Sequence, residues 1–483
     1  MEKKELGKGL PLEITDLPES PKWTLGKTFK WMGPAGFIAV GVGIGSGEFL
    51  LAPAAVVKFS MLIAWGFWVA VLLQTWQNTE MCRYTVLTGE PITVGMMRLK
   101  PGPWLWLPLN IANCLSQVMW PGWAAAGATA LAAWQLGFVP KPEHTHIVAI
   151  WAIITFFVAY IIMISGESPV KSAIEFFFKW TTLVLVAMLI VMTVFVPSRI
   201  WSETLRGLVI VGYIPKGMDW VIFGAAVGYA GLGGGYFNSA ITNWYRDKGV
   251  GMGSKVGYIP GIIGGKKLIF SAAGKFPAPT SSNVANFKGW MRLINTEMYL
   301  PYFIFGMIGM LAPSMLYASY VTKPVRGWAA PALLAEGMAN AGIPGAWYLV
   351  LIMGLLILFP TQVGVSDMFV RQIVDNLWFW PGVRKAFKED IRIPHYGLIF
   401  ILWAFGIYII VSRAIAPVMM LTIAANLALF GTVCTGLGTF FLNRHLPKEY
   451  RPHPWKQVVL ILGVIFFGFF FVMTFLSVFG VKV

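Results

Sequence analysis

Apolar runs of about twenty residues recur along this chain from end to end, and a helix of that length matches the hydrocarbon thickness of a bilayer. Charged residues make up only 12% of the 483 residues, while 57% are apolar and the mean hydropathy is +0.69. Soluble domains carry about 25% charged residues, so a soluble fold would expose far more apolar surface than water tolerates. An ordinary soluble enzyme, a disordered chain and a secreted disulfide scaffold are all excluded. The composition defines an all-α polytopic membrane protein.

Eleven spans are expected, at 31–58, 60–86, 103–136, 147–165, 170–197, 219–245, 295–317, 346–374, 395–412, 415–441 and 456–480. Trp31, Trp104, Trp201, Trp220 and Trp455 lie near span ends, where interfacial anchors belong. Residues 1–30 are polar, without a signal-peptide core, and are expected to form a cytoplasmic tail. With the N-terminus inside, 28 of the 37 Lys and Arg fall on the cytoplasmic side and 9 outside; retention of Lys and Arg on that side favours this orientation. The net charge of +16 is then a property of cytoplasmic loops and does not point to nucleic acid. An odd span count puts the C-terminus outside, in a plasma or inner membrane. Cys82, Cys114 and Cys434 show no pairing or zinc spacing. The glycines of the long 245–295 loop lack the GxxxxGK[ST] pattern, and its lysines and arginines, Arg246 and Lys248 among them, are expected to form a basic connector near anionic lipid.

Two glycine clusters carry the functional information. The first span contains Gly41-Val42-Gly43-Ile44-Gly45-Ser46-Gly47-Glu48 and the sixth contains Gly228-Tyr229-Ala230-Gly231-Leu232-Gly233-Gly234-Gly235. Each glycine costs a helix about 1 kcal/mol relative to alanine, so both spans are expected to break. Broken backbone at membrane depth is tolerated where it faces protein or a hydrated cavity. Each break opens a block of five helices, 31–197 and 219–441, and an odd block length inverts the second against the first. That is the signature of an inverted-repeat secondary transporter with its site between the breaks. A span at 456–480 is left over. The bland reading of either cluster alone is close packing through small residues. Glu48, mid-depth after the first break, is expected to face a partner, water or a substrate cation.

These residues resemble the Nramp family of divalent-metal transporters. Gly33-Pro34-Ala35-Gly36-Phe37-Ile38-Ala39-Val40-Gly41 is similar to the family's GPGF…AVG opening. Leu72-Leu73-Gln74, Thr88-Gly89, Asn238-Ser239-Ala240-Ile241 and Arg371-Gln372-Ile373-Val374 continue the likeness in order. The resemblance implies a leucine-transporter-like fold, five plus five inverted helices and one extra. The metal motifs depart from it. The family's Asp-Pro-Gly-Asn corresponds to Gly45-Ser46-Gly47-Glu48, and its Met-Pro-His to Gly231-Leu232-Gly233. A later family histidine matches Asn238, and a tenth-span glutamine matches Asn426. The third-span acids that carry protons in the family are replaced around Met119 to Trp123, where Trp120-Pro121-Gly122-Trp123 is expected to kink the helix.

The implied site has one carboxylate, Glu48, as its metal ligand, with Val42, Gly45, Ser46, Gly228, Tyr229, Gly231, Gly233, Asn238 and Asn426 around it. Its loss of the thioether disfavours Fe²⁺, and a hard cation such as Mg²⁺ or Mn²⁺, keeping part of its water shell, fits it. The proton relay expected from the resemblance is not visible, which implies weak or no proton coupling. A small organic substrate, such as an amino acid or amine, and a non-transporting ligand sensor are the alternatives. Gln362, Asp367 and Glu80 are secondary candidates. For Asp367 with Arg371, and for Lys171 with Glu175, the i,i+4 spacing also reads as simple ion pairs. Catalytic motifs such as HExxH and GxSxG do not occur, and no cofactor site is indicated. The implied partners are a small ion or molecule and the lipid bilayer.

Overall fold

The structure is a computed structural model that describes residues 9–45, 47–118, 121–164, 173–230, 233–263, 273–325, 330–412 and 417–481. Among the described residues there is no strand of any length: Ile14 and Phe276 form an isolated bridge, Ile263 is marked by another, and the rest is helix and connection.

The first predicted span is a bent pair, α1 (Pro34–Gly43) and α2 (Gly47–Phe59), whose axes differ by 44°. Then follow α3 (Ala64–Thr88), α4 (Pro103–Val118), α5 (Gly122–Leu136), α6 (Thr145–Ile164) and α7 (Ala173–Met192). A second divided span is formed by α8 (Trp220–Tyr229) and α9 (Gly235–Lys248). It is followed by α10 (Ser281–Tyr320), α11 (Ala346–Trp378), α12 (Arg392–Ser412), α13 (Pro417–His445) and α14 (Pro454–Val478).

Seven of the described helices are long and apolar enough to cross a bilayer unaided, and the bent pair makes eight. The second, third and sixth predicted spans fall outside that simple test for physical reasons. Gln74, Gln77, Asn78, Glu80 and Arg83 make α3 polar although all are buried. The other two are each split into halves, α4 with α5 and α8 with α9.

Local chemistry sets the ends. Gly89, Gly137 and Gly249 close α3, α5 and α9 in the left-handed conformation that glycine adopts without a Cβ penalty. Asp219 caps α8 by accepting the Ile222 amide at 3.2 Å. In the interior, α9 is buried along its whole length and α11 along most of it. Helices α6, α7, α12 and α14 line the periphery and expose large apolar side chains such as Phe157, Val191, Phe400 and Phe475, as a lipid-facing belt requires.

One expectation changes. The seventh helix starts at Ser281, not near 295, because Thr280 accepts the Asn283 amide at 3.3 Å and caps it there; the long loop is correspondingly shorter. The N-terminal segment packs on the start of this helix. Thr15 donates to the Phe276 carbonyl at 3.1 Å, Leu17 is buried and donates to Asn283, and Trp290 donates to the Pro18 carbonyl at 2.9 Å.

Candidate substrate site

The two breaks meet. At the first, α1 ends when Ile44 donates to Val40 at 2.7 Å, and α2 restarts at Gly47 in a π-helical turn. At the second, Gly233, Gly234 and Gly235 have φ of 113°, 64° and 52°. Three successive residues with positive φ are the reason for glycine here, since L side chains rarely adopt that backbone. Gly47 lies directly against Tyr229, and a Cβ on it would approach the Tyr229 Cβ to 2.6 Å.

The freed carbonyls find protein partners. Thr361 on α11 donates to Val42 O at 2.8 Å. Gln74 on α3 donates to Ala230 O. Each carbonyl oxygen has two lone pairs, so these contacts fix the unwound backbone while leaving it able to accept again.

Between the breaks lies a small cavity. Val42, Gly43, Gly47 and Glu48 form one wall, and Tyr229, Gly233 and Phe237 the opposite one. Trp123 on α5 and Thr361, Val365 and Phe369 on α11 complete it. The space open to a water centre is about 10 Å³, enough for about one water. Glu48 is fully buried, with its Oε2 3.4 Å from the Gly45 amide. It is the one carboxylate among the described lining residues, which include no Lys, Arg, His, Cys or Met. Among the described residues there is also no group of three or more His, Cys, Asp or Glu able to hold a metal.

The structure thus gathers Val42, Glu48, Tyr229 and Gly233 of the expected set, with Gly45 beside them through its amide contact to Glu48. Ser46, Gly231, Met119, Trp120 and Lys171 lie outside the described residues. The remaining candidates are placed elsewhere. Gly228 packs on the Ala425 carbonyl of α13, the small-residue role. Asn238 donates to Gln74 and accepts from Tyr302 at 3.2 Å, in a network behind the second break. Asn426 turns to the side of the bundle, donating to Val221 O at 3.0 Å and accepting from Thr474 at 3.2 Å. Glu80 is held by Arg83 at 2.6 Å and by Lys456 at 3.6 Å. Gln362 is buried beside the cavity-lining residues without lining it. Sequence reasoning did not single out Phe237, Val365 or Phe369, whose only signal is helical spacing from the break and from Thr361.

Asp367 belongs to an ion network. Arg371 binds it at 2.7 Å and also binds Asp247; Arg246 joins Asp247 and Asp375, each at 2.7 Å; and His395 Nε2 lies 3.1 Å from Asp367. The Asp367–Arg371 pairing expected from spacing is present. Arg246 and Lys248 depart from the basic-connector reading, because both are buried, Lys248 against Glu175 at 2.5 Å. Glu175 also pairs with Lys179 at 2.8 Å.

Beside this network Glu297, fully buried where α10 passes through a π turn, accepts the amides of Gly33 at 2.7 Å, Ala35 at 3.0 Å and Gly36 at 2.8 Å, plus the Tyr245 hydroxyl at 2.7 Å. It satisfies the orphan amides that begin α1. This end of the molecule is therefore closed by buried charge. At the far end, among the described residues, a partly exposed pair, Lys58 with Asp219 at 2.7 Å, bridges α2 and the start of α8.

No family model and no curated protein matches the chain. Among solved structures, the chain is similar to a manganese transporter of Eremococcus coleocola. A histidine-to-alanine mutant of that protein superposes with a TM-score of 0.61 at 12% identity, over 97% of this chain and 91% of that one. The same transporter in complex with an aromatic bis-isothiourea substituted compound gives 0.60 at 13% identity, with the same coverage. At such identities the likeness establishes the fold, which is that of a multi-pass, leucine-transporter-like membrane protein. It is the fold the Nramp resemblance implied.

Three substitutions test this geometry. Gly47→Ala forces the two breaks apart, so a ligand held between them should bind at least about tenfold more weakly, about 1.4 kcal/mol, in a titration of purified protein that still elutes as a single species. Glu297→Gln should lower stability by about 1–3 kcal/mol, read as a reduced thermal unfolding temperature in detergent. Arg371→Ala leaves two aspartates without it in the interior and should cost about 3–5 kcal/mol in the same assay.

Proposed function

We propose that the protein is a secondary transporter that moves a hard divalent cation, Mg²⁺ or Mn²⁺ ahead of Fe²⁺, by alternating access between its two broken helices. The observation that carries this reading is Glu48, the one carboxylate among the described residues lining a cavity about the size of one water where the breaks meet. Its described lining offers oxygen atoms and no sulfur or imidazole, a set that suits hard cations and gives Fe²⁺ no soft ligand. The manganese transporter with the same fold supports the substrate class.

In this reading the chain is a divergent relative of Nramp proteins. Residues 31–197 and 219–441 are the inverted repeats, 456–480 is the additional helix, the N-terminus is cytoplasmic and the C-terminus is outside. The described lining has no second acid or histidine to hand a proton on, in keeping with weak or no proton coupling. The buried network of Asp247, Asp367, Asp375, Arg246 and Arg371 then closes the cytoplasmic side, and the Lys58–Asp219 pair is the lighter closure outside.

A second reading has its own observation. Trp123, Tyr229, Phe237 and Phe369 surround the carboxylate with aromatic rings, and aromatic faces attract organic ammonium ions. The small volume favours the ion, since even a small amine needs the walls to move.

Flux into liposomes separates these readings. Protein reconstituted around a magnesium- or manganese-sensitive dye should speed entry of the ion. Glu48→Gln should slow it about tenfold or more, as expected for loss of one charge-assisted contact of about 1.5–3 kcal/mol. Entry of a radiolabelled amine with no ion entry would establish the second reading. Ligand binding without any flux would make the protein a sensor.

A further inference from the structure

A groove lies on the flank of the bundle, away from the two breaks. It has a volume of about 380 Å³ and lies between the end of α11, the short helix Pro381–Ala386 and the first turns of α12. All its lining residues are apolar or glycine, among them Leu377, Val383, Phe387, Ile393 and Ile401. It is open at Gly397, where a Cβ would meet no atom within 4 Å. Ile393 and Ile401, 49% and 62% exposed, mark its mouth toward lipid. Eight residues of helix separate them, about 12 Å along the axis, or most of one leaflet's hydrocarbon depth.

The segment beside one end of the groove is basic: between and around the lining residues Val383, Phe387 and Ile393 it carries Arg384, Lys385, Lys388 and Arg392, against Glu389 and Asp390. Asp390 pairs with Arg392 at 2.8 Å and Glu389 with Arg384 at 3.5 Å; four bases against two acids leave the segment net positive, and Lys385 and Lys388 present their side chains at the surface. The chain turns at this rim through two consecutive non-glycine residues of positive φ, Lys388 at 53° and Glu389 at 54°. Each costs about 1 kcal/mol or more, and Glu389 N donating to Arg384 O at 2.9 Å holds the turn.

We propose that this groove is a binding site for an anionic phospholipid of the cytoplasmic leaflet, its acyl chain in the apolar groove and its phosphate at Lys385 and Lys388. The leaflet assignment rests on the orientation proposed above; the site itself does not depend on what the protein transports. Charge complementarity selects the occupant, because anionic headgroups are attracted to juxtamembrane Lys and Arg by about 1 kcal/mol per residue, while a zwitterionic lipid gains only the apolar contact.

Native mass spectrometry of the full chain, delipidated and then titrated with phosphatidylglycerol or phosphatidylcholine in detergent, tests this directly. Wild type should retain phosphatidylglycerol preferentially. Lys385→Gln with Lys388→Gln should reduce that retention about fivefold per lysine and leave phosphatidylcholine unchanged. Gly397→Phe, which fills the groove, should reduce both lipids, with unfolding temperature checked for each variant. Equal retention of the two lipids by wild type, an unchanged preference in the lysine variant, unchanged retention in Gly397→Phe, or a polypeptide in place of lipid would each overturn the proposal. The readout needs no flux, so failure of the transport reading is distinguishable. Labelling of Lys385→Cys by an impermeant maleimide from one side only tests the leaflet separately.

Discussion

A peptide group at the depth of a bilayer must be hydrogen-bonded by something other than water, and this requirement organises the molecule around its two interruptions. Where α1 gives way to α2, and α8 to α9, the lost helical bonds are replaced by Thr361 on Val42 and by Gln74 on Ala230. The side chains that do this come from helices α11 and α3, so the breaks are stitched to the frame and to each other. Of the polar residues that make α3 look unlike a membrane span, Gln74 and Asn78 serve the second break and its network. Asn78, Tyr302 and Asn238 extend the same stitching from α3 to α9 and α10.

Charge is distributed unevenly about this centre. One end is closed by three aspartates, two arginines and His395, and by Glu297 gripping the first amides of α1. Buried ion pairs of this kind contribute little net stability over an apolar core, but removing one partner is costly. They therefore set register sharply. Among the described residues the opposite end is bridged by the Lys58–Asp219 pair, with Lys58 partly in solvent, where a contact is worth at most about 1 kcal/mol.

Much of this was legible in the chain. Hydropathy and length defined the class, and clustered glycine located both breaks, because glycine is the cheapest way to interrupt a helix. Glu48 stood out as an acid where acids are expensive. Residues whose role depends on distant partners were not legible. Arg371 and Asp247 are 124 positions apart, and nothing local tells Arg246 that it will be buried. Asn238 and Asn426 were carried to the centre by resemblance, yet each faces a neighbouring helix, since a matched position fixes the place along a helix and not the partner the side chain finds. Glu297 carries no signal beyond being an acid near a proline, Pro301.

Gly233, Gly234 and Gly235 each hold a left-handed backbone. A right-handed helix cannot pass through three such residues without turning all of them over, so α8 and α9 are separate rods joined by a permanent universal joint. The direction of each rod is then set by what packs on it, Ala425 and Ala428 of α13 against Gly228 and Gly235, and not by a helix running through the break.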